Sequence, residues 1–402
     1  MQPRPPRLTA PILGILGALG PLSIDMYLPG LPNIARQLNV DAGAAQLSIM
    51  AFFAGLTIGQ LFHGPLSDRV GRKAMIYVGL ALYIAGSLGC AATTTAGQLD
   101  AWRFAQGLGG SIGMVIGFAV VRDLYTGRTA ARLVGLMMIV QGVAPVIAPL
   151  LGTAVITVAP WPVIFIILAL FGIVCILLVA FALPETRSRE LRAASDPLDA
   201  LQNYLRLVVS RDYMPYTVAT ALAQAGFFAY IAGSSFLFIS VYGLSPAAYS
   251  SVFAVNALGL MGGTQAAPHL MGRFHPQAII RASLVVYTLA AVLLVVLELT
   301  DQARLMPTAA LLFVTIVAMA FSLPLGTVIA LEPYGAISGT ASALMGSLRF
   351  GAGTAASLVV GITADGTGLP MLSTIACCGL AACVLAFTAF PQLKSPKEKK
   401  TA

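Results

Sequence analysis

Gly64-Pro65-Leu66-Ser67-Asp68-Arg69-Val70-Gly71-Arg72-Lys73 lies between two long apolar runs and holds four charges within six residues. Membrane proteins use such short polar segments to join two spanning helices. The glycines permit tight backbone turns, and Asp68 is predicted near the start of the following helix, where the helix dipole favours a carboxylate. Arg69, Arg72 and Lys73 predict that the segment faces the cytoplasm. The alternative is a basic loop with no further role.

The composition excludes an ordinary soluble protein. Of 402 residues, 58% are hydrophobic and only 9% are charged, whereas soluble domains carry roughly a quarter charged residues. A net charge of +8 could suggest nucleic-acid binding, but the charges lie in short loops and at the termini, so no nucleic-acid partner is expected. The five cysteines all lie inside apolar runs, which predicts small buried side chains and neither disulfides nor a metal site.

The apolar runs predict an all-α integral membrane protein. A spanning helix needs about 20 mostly apolar residues. Twelve such runs can be placed: 9–32, 43–63, 74–95, 97–121, 130–157, 161–183, 213–241, 246–270, 278–298, 305–330, 338–363 and 369–390. An even number of spans puts both termini on the same side of the membrane.

The distribution of Lys and Arg predicts the orientation. Basic residues are concentrated in alternate polar segments and at both termini, and only Arg36 and Arg304 fall in the other segments. Because basic loops remain in the cytoplasm, both termini are expected there. Arg103 and Arg349 fall inside predicted helices.

The longest polar segment divides the chain into two halves. The predicted parts are a six-helix bundle at 1–183, a cytoplasmic linker at 184–212 and a second six-helix bundle with a basic tail at 213–402. This plan suits a transporter whose substrate site lies between the bundles. Within the linker, Asp199–Val209 alternates polar and apolar residues at helical spacing and is expected along the membrane surface.

The opening segment resembles the G-x-L-x-D-R-x-G-R-K loop between helices two and three of major facilitator superfamily transporters. The resemblance implies a gating role for five of its residues: Gly64, Asp68, Arg69, Gly71 and Arg72. With Arg122 and Asp123 at the end of helix four, they are expected to form a charge cluster that locks one conformation.

Two further motifs resemble the same superfamily. Leu99-x-x-x-Arg103-x-x-Gln106-Gly107-x-Gly109 is similar to the helix-four motif whose arginine is linked to proton coupling. The helix-five motif that distinguishes antiporters is matched at four positions: Gly142, Pro145, Pro149 and Gly152. Ala144 and Thr153 depart from it, because glycine is usual there. Ordinary packing glycines are the alternative explanation.

A narrower resemblance is to the Bcr/CflA family, the bicyclomycin, chloramphenicol and florfenicol exporters. It rests on Ser23–Pro32 in helix one, Val121–Tyr125 at the end of helix four, and Gly339–Ala343 with Arg349–Gly351 in helix eleven. The resemblance runs from about Pro11 to Phe390. It implies a drug:proton antiporter of the bacterial inner membrane.

Asp25 and Arg103 are the predicted coupling residues. An ionisable side chain within the hydrocarbon is costly, so it suggests a functional site. Counting from the outer helix ends places Asp25 roughly 12 Å deep and Arg103 roughly 10 Å deep, so the two are predicted to pair. The alternative is that Asp25 lies in the interface and is simply solvated.

The predicted substrate-binding residues are mostly apolar. They are Asp25, Tyr27, Met50, Phe53, Phe227, Tyr230, Asn256 and Arg349. Aromatic side chains at helical spacing are also used for packing or lipid contact, which is the alternative for each. Arg349 has no evident carboxylate partner in its half, so a substrate, a backbone carbonyl and Asp25 remain open as partners.

The predicted function is proton-coupled efflux of small amphiphilic drugs such as bicyclomycin or phenicols, by a monomer that needs no cofactor beyond the proton gradient. The expected partners are the drug, protons and the bilayer. An exporter of a metabolite such as an amino acid is the main alternative. An intramembrane enzyme is disfavoured because the three histidines lie near the cytoplasmic boundary. A passive facilitator is opposed by the buried charges, and no nucleotide-binding loop of the G-x-x-x-x-G-K type occurs.

Overall fold

The computed structural model describes residues 6–193 and 197–390, and this part of the chain is almost entirely helical. We number the spanning helices α1 to α12. Their bounds are Pro11–Gln37, Ala42–Val70, Arg72–Ala91, Ala96–Leu124, Gly127–Val158, Pro162–Ala182, Met214–Val241, Pro246–Leu270, Pro276–Leu299, Leu305–Leu331, Ser338–Ile362 and Leu369–Thr388. The twelve predicted runs are therefore confirmed, although several helices begin or end a few residues away from the predicted limits.

Eleven of these helices are long and apolar enough to span a membrane by composition alone. The remaining one, α8, has 25 residues but includes Asn256, Thr264 and Gln265. It packs against α10 within its own half and against α5 of the other half. Asn256 is buried among these helix contacts, whereas Thr264 is half-buried and Gln265 is exposed nearer the end of the helix.

The helices form two bundles. Helix α4 packs against α1, α2 and α3 in the first bundle, and α10 packs against α7, α8 and α9 in the second. The two bundles meet mainly through the pairs α2–α11 and α5–α8. The linker lies between α6 and α7 and contains two short helices, Arg189–Ala193 and Pro197–Val208. We call the end of the molecule that carries the linker the linker side, and the opposite end the far side.

Small residues allow the closest helix contacts in the first bundle. A Cβ on Gly107 of α4 would overlap the carbonyl of Phe52 in α2, and one on Gly113 would overlap the carbonyl of Leu16 in α1. Such close backbone approach is typical of helix pairs in membranes. The close approach of α1, α2 and α4 encloses the site described below.

Candidate functional site

Asp25 lies where α1 is interrupted. A regular helix ends at Asp25, and the 3₁₀ turn Leu28–Gly30 follows it. Pro29 has no N–H group to continue the α-helical bonding, which explains the break. The turn contacts α7 and α8 of the second bundle, and Asp25 is only 3% exposed. The carboxyl group is therefore buried next to the boundary between the two bundles.

Arg103 is completely buried inside the first bundle. Its Nη1 donates to the carbonyl of Ser23 at 3.0 Å and to Oε1 of Gln106 at 2.6 Å. The guanidinium group lies 4.2 Å from the ring centre of Phe52 and 4.9 Å from that of Tyr27, which stabilises the charge by cation–π contact. Nε and Nη2 have no hydrogen-bond partner among the described residues.

The predicted pair between Asp25 and Arg103 is not formed in this structure. Neither side chain makes an ion pair within residues 6–193 and 197–390. Arg103 does reach the same level, because it binds the carbonyl of Ser23, two residues before Asp25. The guanidinium group is instead held by aromatic rings of the first bundle. Counting residues from the helix ends placed the two side chains at the same depth in the membrane, but it could not predict the direction in which either side chain points.

The helices of the second bundle that the turn after Asp25 contacts carry two buried tyrosines, Tyr230 of α7 and Tyr249 of α8. Asn256 of α8 donates from Nδ2 to the Tyr230 hydroxyl at 2.8 Å. The Tyr249 hydroxyl shares a 2.9 Å hydrogen bond with Ser234. A buried acid of one bundle thus lies beside two helices of the other that carry hydrogen-bonded polar groups.

Aromatic rings meet across the same boundary. Phe53 of α2 lies 4.5 Å from Phe228 of α7 and 6.1 Å from Phe350 of α11, measured between ring centres. Phe227 is half-buried and stacks on Tyr230 at 6.1 Å. Phe228 could be predicted beside Phe227 and Tyr230 on the same helix, as a residue that lines an apolar pocket. Phe350 of α11 was not assigned to the pocket from the sequence, although it directly follows Arg349.

Tyr27 is placed differently from the prediction. Its hydroxyl shares a 2.8 Å hydrogen bond with Ser48, its ring packs on Phe165 at 5.5 Å, and it is fully buried in the first bundle. It therefore supports Arg103 and does not face the boundary between the bundles. Met50 is half-buried on α2.

Arg349 of α11 binds α10. Its Nη2 donates to Oγ1 of Thr327 at 2.8 Å and to the carbonyl of Leu323 at 3.3 Å. Nε is buried and has no hydrogen-bond partner among the described residues. Of the three partners left open by the sequence, the backbone carbonyl is the one found here.

Three residues of the opening motif and helix four lie together on the linker side. Arg72 pairs with Asp68 at 2.6 Å and with Asp123 at 2.9 Å, and Arg187 of the linker approaches Asp68 at 3.4 Å. We call these four residues the gate cluster. Ser67 also accepts a hydrogen bond from Arg72. Charges from α2, α3, α4 and the linker are therefore neutralised as one group.

Two details of the motif differ from the prediction. Helix α2 continues to Val70, so Gly64 lies inside a helix and makes no turn. A Cβ at Gly64 would meet only Val115, at an ordinary 3.7 Å. Asp68 lies near the end of α2 and not near the start of α3, so the helix-dipole argument for it was wrong. Its ion pairs with Arg72 and Arg187 outweigh the unfavourable helix end.

Glu185 takes the role that was assigned to Asp68. Its carboxylate accepts hydrogen bonds from the backbone N–H groups of Arg72 at 3.0 Å and Lys73 at 3.1 Å, at the first turn of α3. Gly71 has φ of +114°, and a Cβ there would lie 2.6 Å from Glu185 Oε2. Only glycine fits this position.

Arg122 and Arg69 lie outside the gate cluster. Arg122 donates to Ser338 Oγ at 3.2 Å, at the start of α11 in the second bundle. Arg69 is exposed and forms no ion pair with a described residue. A cavity of about 380 Å³ separates the gate cluster from the start of α11 and is also lined by Ala200 and Tyr204 of the linker.

The helix-five motif brings α5 close to α1 and α8. A Cβ at Gly152 would overlap the carbonyl of Met26, immediately after Asp25, and one at Gly142 would contact Met261 at 3.4 Å. Pro145 and Pro149 both lie inside α5. The prolines and Gly152 thus fit α5 against the interrupted part of α1.

The two bundles are in direct contact on the far side. Thr153 shares a 2.8 Å hydrogen bond with Ser250 of α8, which also donates to the carbonyl of Pro149 at 3.1 Å. A Cβ at Gly43 of α2 would overlap the carbonyl of Gly361 of α11. Thr153, a departure from the usual motif, therefore helps to close the far side.

Several functional candidates were not found from the sequence. Asp100, three residues before Arg103, is a second acid within α4, and its Oδ1 is buried without a hydrogen-bond partner among the described residues. Its spacing from Arg103 was the available signal. Glu185 and Arg187 were not among the predicted site residues, because nothing local shows which distant groups they bind. No cluster of three or more metal-binding side chains occurs within the described residues.

The comparisons with known proteins agree with this architecture. The Major Facilitator Superfamily model matches residues 13–357. An uncharacterized MFS-type transporter of Bacillus subtilis, YdgK, is 35% identical over 365 residues, 90% of each chain. The bicyclomycin resistance protein homolog of Haemophilus influenzae is 29% identical over 91% of this chain and 92% of its own. The multidrug resistance protein MdtL of Escherichia coli is 30% identical over 82% of both chains.

The solved structure of a D-xylose-proton symporter superposes with a TM-score of 0.76 at 15% identity, covering 96% of this chain and 98% of the other. At that identity the likeness concerns the fold alone. The family match is much stronger, and the chain belongs to the major facilitator superfamily. It is a transporter and not an enzyme. The resemblance to bicyclomycin and multidrug resistance proteins is confirmed by its relatives.

Proposed function

We propose that the protein exports small amphiphilic drugs in exchange for protons. It does so across the bacterial inner membrane by alternating access, with the linker side in the cytoplasm. The observation that carries the proposal is Asp25, a buried carboxyl group next to the boundary of the two bundles. A carboxyl group in this position can gain or lose a proton as the bundles rearrange. The relatives named for bicyclomycin and multidrug resistance support export of drugs.

Coupling follows from the two surroundings available to Asp25. In this conformation it lies beside α7 and α8, and it makes no ion pair with a described residue. Arg103 lies one short segment away, and its Nε and Nη2 nitrogens have no hydrogen-bond partner among the described residues. When α1 and α4 shift so that Arg103 meets Asp25, the ionised carboxylate is stabilised and a proton leaves. When they separate, the carboxylate binds a proton again, so protonation favours one conformation over the other.

The substrate class follows from the boundary between the bundles. Phe53, Phe228 and Phe350 offer aromatic surface, whereas Asn256 and the tyrosine hydroxyls offer a few polar contacts. Such a surface favours neutral or zwitterionic amphiphiles, and it disfavours multiply charged anions, whose burial is costly. We infer that Phe227, Met50 and Arg349 shape the edges of this site and that the protein acts as a monomer with no cofactor.

The test is substrate-induced proton release from purified protein in weakly buffered detergent solution, with a phenicol and bicyclomycin as probes. Asp25→Asn should abolish the release while leaving substrate binding measurable, because the amide cannot exchange a proton. Asp41→Asn is the matched control, since Asp41 is exposed and only caps α2. It should release protons like the parent.

Asp100→Asn separates the two acids near Arg103. Normal release from Asp25→Asn together with lost release from Asp100→Asn would move coupling to Asp100 and overturn the assignment. Dye efflux from cells that is unaffected by a protonophore would contradict proton coupling altogether. Release triggered by an amino acid but by no drug would replace drug export with metabolite export.

A further inference from the structure

The linker helix Pro197–Val208 exposes a continuous apolar stripe. One face is held by the protein, and Leu207 on it is fully buried. The stripe lies on the adjoining face, and its side chains are Leu201 at 54%, Leu205 at 62% and Val208 at 47% exposure. Spacings of four and seven residues place them on one side of the helix, and the exposed Val209 follows its last residue. Gln202 and Arg206 occupy the remaining, polar side.

The stripe lies at a depth where the bilayer surrounds the protein. Tyr204 donates a hydrogen bond from its hydroxyl to the carbonyl of Leu61 in α2 at 3.1 Å. The next residue of α2, Phe62, is 63% exposed, and Leu66 and Val70, nearer the linker side, are still 41% and 45% exposed. Large apolar side chains exposed on a spanning helix face lipid. The linker helix therefore touches α2 alongside its lipid-facing surface.

The charges around the stripe cancel. From the start of this helix to the start of α7, Asp199 and Asp212 balance Arg206 and Arg211. Because this segment has no net charge, its electrostatic attraction to anionic headgroups is weak. The apolar stripe must therefore supply the membrane affinity. The interaction is expected to depend little on the fraction of anionic lipid.

The same helix is connected to the gate cluster. Pro65 has no N–H group, so the carbonyl of Leu61, four residues earlier, lacks its helical partner and accepts from Tyr204. Burial, with a contribution from the Asp68 charge, raises the pKa of Tyr204 to about 12, so its hydroxyl stays protonated and can donate. The contact lies within one helical turn of Pro65 and two turns of Asp68.

The linker also contacts the second bundle. The helix packs against α11 as well as α2. Just beyond it, Ser210 shares a hydrogen bond with the Tyr334 hydroxyl, and Tyr213 donates to the carbonyl of Ala341 at 2.6 Å. The segment therefore bridges the two bundles across the mouth of the cavity beside the gate cluster.

We propose that Pro197–Val208 is an in-plane membrane anchor. Its stripe Leu201, Leu205 and Val208 inserts into the headgroup–acyl boundary of the leaflet on the linker side, which is the cytoplasmic leaflet in the proposed orientation. The docked helix holds Tyr204 against α2 and restrains the separation of α2 from α11. Docking itself does not depend on the drug or on proton coupling.

Spin-label accessibility tests the docking in the full-length protein. Single labels at Leu205 and at Gln202, in a background without the five native cysteines, are compared in lipid nanodiscs, where both membrane faces are open to solution. The Leu205 label should collide with oxygen and be protected from a water-soluble nickel complex. The Gln202 label should show the opposite. Equal exposure of both labels to nickel would overturn the proposal.

Lipid composition and two matched glutamate substitutions provide further tests of the anchor. The contrast between the two labels should be the same in phosphatidylcholine discs and in discs with phosphatidylglycerol. A contrast seen only with phosphatidylglycerol would overturn a hydrophobic anchor in favour of an electrostatic one. Leu205→Glu should move a label at Val208 from lipid to water, whereas Gln202→Glu should leave it in lipid. An unmoved Val208 label in Leu205→Glu would show that the stripe does not hold the helix.

The connection to the gate cluster has its own readout. Tyr204→Phe removes only the hydroxyl donor, so a label at Leu205 should remain in lipid while the α2–α11 distance on the linker side broadens. Loss of one hydrogen bond should change the ratio of the two distance populations about fivefold. An unchanged distance distribution would refute the proposed restraint on α2 and leave the helix with the role of a membrane anchor only. Because none of these measurements needs transport, failure of drug export leaves the result interpretable.

Discussion

The change Asp68→Asn tests whether the gate cluster sets the balance between conformations. Asp68 lies 2.6 Å from Arg72, and the two side chains are 37% and 6% exposed. Asparagine keeps the shape and a hydrogen-bond acceptor but removes the charge, leaving Arg72 with Asp123 at 2.9 Å. The conformation of this structure should therefore lose stability relative to its alternative.

The size of the effect follows from exposure. A fully exposed ion pair contributes about 0–1 kcal/mol, and removing one partner of a buried pair costs about 3–5 kcal/mol. Arg72 is buried but Asp68 is about one-third exposed, so solvent screens part of the interaction. We expect about 1–2 kcal/mol, which corresponds to a change of about 5–30-fold in the ratio of the two conformations.

The assay is the distance between spin labels on the linker side of the two bundles. Arg128 after α4 and Arg273 after α8 are exposed sites on opposite bundles. Asp68→Asn should enlarge the minor distance population and slow drug efflux at equal expression. Asp199→Asn, an exposed acid on the linker helix without a described ion pair, should leave both unchanged. If Asp68→Asn matches Asp199→Asn, the motif acts only as a topology signal.

The helix-five contacts give two further predictions. Gly152→Ala should destabilise the protein by about 1–3 kcal/mol, seen as a lower unfolding temperature in detergent, because the new Cβ overlaps the Met26 carbonyl. Gly135→Ala on the same helix, where a Cβ meets nothing within 4 Å, should not, and equal effects would refute the packing argument. Thr153→Val should loosen the far side by about 1 kcal/mol, because it loses its hydrogen bond to α8. Spin labels on the far side of the two bundles should then separate more often than in Thr157→Val, whose hydroxyl bonds within α5. Equal separation in both variants would show that the Thr153 hydrogen bond does not hold the far side closed.

The number of spans, the division into two bundles and the superfamily could be predicted because they depend on local properties. Hydropathy over about 20 residues defines a span whatever its neighbours are. The motif at Gly64–Lys73 and the helix-five glycines could likewise be matched residue by residue. Gly71 kept its predicted turn, with φ of +114°.

The end of α2 was misplaced because polar residues near a membrane surface do not end a helix. Ser67 and Asp68 remain helical there, and only the glycine at 71 interrupts the backbone. The sequence shows where charge begins, but the backbone can continue beyond that point as long as its hydrogen bonds are made.

Side-chain pairing was decided by the tertiary structure alone. Asp25 and Arg103 lie at one level, yet they form no ion pair among the described residues, because the packing of α4 directs the arginine towards aromatic rings of the first bundle. Glu185 reaches the first turn of α3 from more than 100 residues away, with a sequence separation of 113. Helix rotation and the approach of distant segments arise from packing of the whole chain, so no local pattern encodes them.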